Sequence, residues 1–216
     1  MTLRHYSTFY NGVNMETKFP EAAVIKTEIY RLFALCFYPP KETILEEKTI
    51  IESLASGLDS LGIHKEAKEL RTAFAETTNE ALELDFAKLF IGPFELPCPP
   101  YGSVYLEKDR QIMGKTTMDV AAIYEAAGLQ VEEEMHEPAD HIAIELEFMY
   151  LLGSRIKSKD ENRNKEDADT LSELKRMFES SYFVPFALKF SDAVAENAET
   201  SFYKKTGEAL KKFVTA

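Results

Sequence analysis

Between Pro20 and about Phe37 the apolar positions Ile25, Ile29, Leu32, Phe33 and Cys36 recur at helical spacing. The second half of that segment, Leu-Phe-Ala-Leu-Cys-Phe, is apolar on nearly every side. A helix without a polar face belongs in the middle of a packed helical body. Pro39-Pro40 ends it, because proline cannot continue the hydrogen-bond ladder. The same period governs most of the chain, and no stretch shows the strict alternation of a strand.

The spacing predicts further helices from about Lys41 to Ser56, Ile63 to Glu76, Asn79 (as N-cap) to Ile91, Thr117 to Ala127 with Gly128 as cap, and Pro138 to Lys157. Three more follow at about 169–180, 184–198 and 202–214. Residues 1–18 read as an irregular lead-in, with Met15 as well as Met1 a possible start, and residues 158–168 as a charged, mobile linker. The expected fold is all-α, a single-domain bundle of about eight to nine helices over residues 19–216.

Charge narrows the partners. Lys and Arg total 25 against 37 Asp and Glu, a net charge of −12. Such a field repels phosphate backbones and argues against nucleic acid, while favouring a basic partner. No run approaches the ~18–20 apolar residues of a membrane span, and the N-terminus has no apolar signal core. Cys36 and Cys98 do not make a disulfide framework, so a reducing, cytoplasmic setting is expected, with no stable membrane insertion.

Two blocks carry side chains that helix formation alone does not require. Residues 86–93, Phe-Ala-Lys-Leu-Phe-Ile-Gly-Pro, end a helix in a Gly-Pro stop and lead into a proline-rich loop, 92–105. Loops of that length in a helical domain are commonly functional or hinges. Residues 137–141, Glu-Pro-Ala-Asp-His, run into the next helix. Asp140 is a candidate cap for that helix. His141 and Glu145 share a face, and with His136 they suggest an alternative, a metal-dependent helical hydrolase. A catalytic zinc takes three protein ligands, and His136 lies upstream of the proline, so no bound metal is expected. Phosphate-cradling glycine loops and Gly-x-Ser-x-Gly elbows are absent from the sequence.

Binding is the better-supported reading. Glu132, Glu133, Glu134, Glu137, Asp140, Glu145 and Glu147 fall within residues 132–147 with no Lys or Arg among them. Carboxylates pair well with guanidinium. The stripe Phe86, Leu89 and Phe90 reads as core or as an apolar groove, with the proline-rich loop as its lip. An acidic rim beside an apolar groove suits paired arginines followed by an apolar stretch, the pattern of a twin-arginine export signal. A helical interaction module for another partner remains the third alternative.

The two blocks together resemble the TorD/DmsD family of cytoplasmic redox-enzyme maturation chaperones, related more distantly to NarJ. Leu89-Phe90-Ile91-Gly92-Pro93 is similar to that family's Leu-Phe-x-Gly-Pro block, and Pro100, Ser103 and Tyr105 to the residues after it. Glu137-Pro138-x-Asp140-His141 matches its most specific motif, with Glu145-Leu146 downstream, and Tyr182–Phe186 is a looser likeness. The resemblance implies no enzymatic turnover. It implies binding of the twin-arginine signal peptide of a molybdoenzyme precursor, of the dimethyl-sulfoxide or trimethylamine-N-oxide reductase type, and help with molybdopterin insertion before export. The molybdopterin belongs to the client, and no cofactor is expected to stay on the chaperone. The family also implies a monomer or a domain-swapped dimer. The implied peptide-binding residues are Phe86, Leu89, Phe90, Gly92, Pro93, Pro100, Ser103, Tyr105, Glu137, Pro138, Asp140 and His141.

Overall fold

Most of the helices begin on a polar side chain or end on a left-handed glycine. The computed structural model describes residues 21–47, 49–92, 96–131, 137–162 and 164–216. The helices are α1 (Glu21–Cys36), α2 (Thr49–Ser60), α3 (His64–Glu76), α4 (Asn79–Phe86), α5 (Gly102–Leu106), α6 (Lys115–Ala126), α7 (Ile142–Glu161), α8 (Lys165–Phe178), α9 (Val184–Asn197) and α10 (Ser201–Val214). Among the described residues there is no strand, so the fold is all-α. No described helix is long and apolar enough to cross a membrane. The expected lead-in, residues 1–18, lies outside the described residues.

Thr78 caps α4 by accepting from Ala81 N–H at 3.2 Å, one residue before the expected Asn79. Thr200 caps α10 and Asn164 caps α8. Gly62 and Gly128 take positive φ at the ends of α2 and α6. In each case the following residue bonds back six-to-one, Ile63 N–H to Leu58 and Leu129 N–H to Tyr124, both at 2.9 Å.

Several boundaries differ from the sequence expectation for identifiable reasons. The second helix starts at Thr49, because Pro40–Glu42 form a single tight turn and the Thr43 hydroxyl donates to Leu35 O at the end of α1. It then runs through Gly57 to Ser60. Gly57 is no terminator: a Cβ there would lie 2.9 Å from Ile29 Cγ1, so the glycine lets α2 press on α1. The mobile linker 158–168 is mostly helical, since α7 reaches Glu161, α8 starts at Lys165, and Lys159 pairs with Asp167 across the join. The proline-rich loop contains α5, a helix too short to show a period.

Two helices widen into π-turns, at Ala87–Ile91 and Glu179–Phe183. The second precedes Pro185, which lacks the N–H that residue 181 would otherwise receive. At the first, Gly92 N–H reaches five residues back to Ala87 O at 2.8 Å.

The core is aromatic. Tyr30 and Phe33 of α1 meet Phe213 of α10 at ring separations of 4.9 and 5.5 Å, and Phe37 meets Phe190 of α9 at 5.1 Å. Cys36 and Cys98 are both buried and free. The α9–α10 crossing is tightest at Gly207, where a Cβ would lie 2.8 Å from the Ser191 carbonyl oxygen. Backbone cannot swing aside as a side chain can. Gly207→Val should therefore destabilise the protein by about 1–3 kcal/mol, the usual overpacking range. Urea unfolding checks this, and a midpoint equal to wild type would refute the close-crossing argument.

Candidate functional site

The two motif blocks meet at one short crossing. Ile142 N–H donates to Pro100 O and Gly102 N–H to Asp140 O, both at 2.8 Å, which makes an antiparallel bridge between Tyr101 and His141. A third bond, 2.7 Å long, runs from Ser103 N–H to Asp140 Oδ2. Asp140 therefore caps the start of α5, across the crossing, rather than the helix that follows it. That role belongs to His141, whose Nδ1 accepts from Ala143 N–H at 3.2 Å. The bond requires a neutral ring with its proton on Nε2. Tyr124 O–H donates to Ala139 O at 2.9 Å and anchors the segment to α6.

The crossing is dry and acidic. Asp140 and Glu145 are each 0% exposed, and Ser103 and Glu147 are also buried. Asp140 Oδ1, both Glu145 carboxylate oxygens and Ser103 Oγ have no hydrogen-bond partner among the described residues. Gly102 makes the close approach possible: a Cβ there would lie 3.2 Å from Glu145 Oε1 and 3.4 Å from Phe186 Cδ1. Burial, and then the charge of Asp140, raise the Glu145 carboxyl well above the usual carboxylate range. Burial pushes the His141 imidazole down to about 3. Tyr38 stacks on His141 at 6.3 Å, and Tyr101 meets it edge-on at 5.6 Å while donating to exposed Glu137 at 3.0 Å.

The other expected residues sit further off or inside. Phe86, Leu89 and Phe90 are 5%, 1% and 6% exposed and point into the core. Phe90 packs on Phe37, Phe190 and Tyr203 at 5.6–6.0 Å. The π-turn brings Leu89 and Phe90 inward together and leaves Ile91 61% exposed; Leu84 is 55% exposed. Cys98 N–H to Leu89 O pins the proline-rich loop against this turn. Pro100 is buried, Pro138 and Gly92 are half-buried, and Tyr105 packs on Phe186 at 5.5 Å. Pro93, His136 and Glu132–Glu134 lie outside the described residues. For the metal alternative, no three of His, Cys, Asp and Glu are grouped to hold an ion among the described residues, and His141 Nδ1 is engaged with backbone. Sequence reasoning missed Tyr101 and Gly102. Their signal was position: a small residue flanked by Tyr and Ser inside the second half of the proline-rich block.

The paired titrations set a stability window. His141 has a lowered folded value, so its contribution is full above about 6.5 and is lost as pH falls toward about 3. Glu145 has a raised value, so its contribution is full below about 4.5 and is lost as pH rises through its folded value. His141→Asn, which keeps a capping side chain, should flatten the acid side of the urea-stability profile by at most about 1.4 kcal/mol per pH unit. Glu145→Gln should match or exceed wild-type stability at about pH 8, because it removes an ionisation that opposes burial. Profiles of both variants parallel to wild type would contradict this reading.

The family model described as nitrate reductase delta subunit matches residues 58–191. A chaperone protein TorD from Aliivibrio salmonicida is 29% identical over 146 residues, 68% of this chain and 66% of that one. A Tat proofreading chaperone DmsD from Salmonella typhimurium is 28% identical over 135 residues, 62% of this chain and 59% of that one. A TorD from Psychrobacter is 30% identical over 148 residues, 64% and 67% of the two chains. The matches thus span about three fifths to two thirds of these relatives' length. A candidate redox enzyme maturation protein from Archaeoglobus fulgidus, known from a crystal structure, is 25% identical with a TM-score of 0.59, covering 95% of this chain and all of the other.

Proposed function

The chain belongs to the nitrate reductase delta subunit family, within its TorD/DmsD group, and on that premise we propose that it is a cytoplasmic maturation chaperone for a molybdoenzyme precursor. It binds the twin-arginine signal peptide of its client while the molybdopterin cofactor is inserted, and it releases the precursor for export. Its work is binding rather than turnover. The observation that carries this reading is the buried acidic crossing of Pro100–Ser103 with Asp140–Ile142. An unsatisfied buried acidic pair is costly for stability alone. It suits a protein that receives a cation there. Guanidinium is the natural partner, because its planar fork bonds two carboxylate oxygens at once.

The net charge of −12 supports the same partner at longer range. It raises the encounter rate with a basic segment and does so less as salt rises. The exposed apolar residues Leu84 and Ile91, on the outer side of the Leu-Phe-Ile-Gly block, supply contact area for the apolar stretch that follows the arginines.

Calorimetric titration with a signal peptide of a candidate client tests this. Binding is expected, weaker at high salt, and weakened about tenfold or more when both arginines are replaced by lysine, since lysine lacks the fork. Equal binding of the two peptides refutes the guanidinium argument. Asp140→Asn keeps an acceptor for Ser103 N–H, so melting should be nearly unchanged while affinity falls. If Asp140→Asn binds like wild type, or binds less only because it unfolds, the crossing is structural.

A further inference from the structure

Among the described residues Glu145 makes no hydrogen bond or ion pair that would explain a carboxylate at that place. It stands in the first turn of α7 with both oxygens buried and unpartnered among the described residues. A Cβ on Gly102 would lie 3.2 Å from Glu145 Oε1, 3.4 Å from Phe186 Cδ1 and 3.5 Å from Asp140 Cβ, so all three side chains gather around this glycine. No lysine or arginine pairs with Glu145 or Asp140 among the described residues. The titratable groups around this spot are Asp140 from the crossing and the phenol of Tyr124 from α6, with Tyr38, His141 and Tyr101 next to them. Two buried carboxylates side by side do not both ionise without a counter-ion. A glutamine would fill the same volume without that conflict.

We infer that Glu145 and Asp140 together form a two-carboxylate receptor for one guanidinium of the incoming peptide, and that the guanidinium displaces a proton held by Glu145 in the free protein. The inference rests on the reading of the protein as a twin-arginine peptide binder and deepens it. The step balances simply. The protonated Glu145 carboxyl loses its proton to the buffer, and the arginine, already cationic, takes its place between the two carboxylates. Asp140 Oδ1 is free to accept, while Oδ2 already holds Ser103 N–H. Entry requires the Tyr101–Ser103 turn to lift from the crossing, which is held there by three hydrogen bonds. Binding is then proton-coupled: below the folded value of Glu145, affinity rises with pH by up to about tenfold per unit for one proton released. The proton also guards the empty site, because it spares the free chaperone a second negative charge at a place where a bare carboxylate pair would be driven apart.

The test is titration of a synthetic twin-arginine signal peptide into the full chain, at fixed pH near neutrality, in two buffers of different ionisation enthalpy. The expected result is about one proton released per peptide by wild type and none by Glu145→Gln, whose affinity stays flat with pH and so falls further behind wild type as pH rises. The wild-type buffer dependence stands whether or not the variant folds well. Binding with no proton release overturns the inference and leaves the peptide-binding reading intact. Proton release that persists in Glu145→Gln assigns the proton to another group and also overturns it. Absence of wild-type binding at every pH overturns both.

Discussion

Three hydrogen bonds between Pro100–Ser103 and Asp140–Ile142 hold the two informative parts of this chain together. Neither segment lies within a helix along its whole length, so its backbone groups need partners from outside the helical ladders. Each segment supplies them to the other. The crossing also fixes where α5 and α7 begin, through Asp140 and His141 respectively. Because α7 crosses α1 closely, with a Gly153 Cβ position only 2.5 Å from Thr27 Oγ1, the crossing is tied to the central helix of the bundle. The loop motif is thereby tied to the core through a small number of bonds, the ones that the proposed peptide entry has to open.

The electrostatics of the crossing run against stability and so point toward function. Burial lowers the His141 imidazole and raises the Glu145 carboxyl, so the histidine limits stability on the acid side and the glutamate on the alkaline side. The rest of the fold offers a contrast in Asp85, which is also buried but accepts from Glu199 N–H, Thr200 N–H and the Thr200 hydroxyl at the start of α10. Asp85 is a satisfied structural acid. Glu145 and Asp140 Oδ1 have no such partners among the described residues, and the difference between these buried acids separates scaffold from candidate site.

Much of the architecture was legible in the residues because it is local. Helical periods located every long helix among the described residues, and Gly128 ends α6 as its sequence position implied, in the left-handed backbone that glycine adopts most cheaply. What could not be read was set by distance. Asp140 looks like a cap for its own helix, and only its partner 37 residues upstream shows otherwise. Phe86, Leu89 and Phe90 form the same apolar stripe whether they line a groove or a core, and the π-turn that carries Leu89 and Phe90 inward is accompanied by tertiary packing of Phe90 against Phe37 and Phe190. Gly57 has the composition of a stop signal and acts as a contact surface, because Ile29 of another helix lies against it. The motif residues of the candidate site were thus identifiable, whereas their roles as cap, core or unsatisfied acid were not.

The central claim is that a twin-arginine peptide engages the chain at this crossing. Amide hydrogen exchange, followed by mass spectrometry with and without the peptide, tests it most directly. The account predicts altered exchange in peptides covering residues 100–105 and 140–147, with faster exchange where the Ser103 N–H loses Asp140 and slower exchange where the ligand covers the chain, including the stretch around Leu84 and Ile91. Binding that leaves these segments unchanged while protecting another face of the bundle would contradict it.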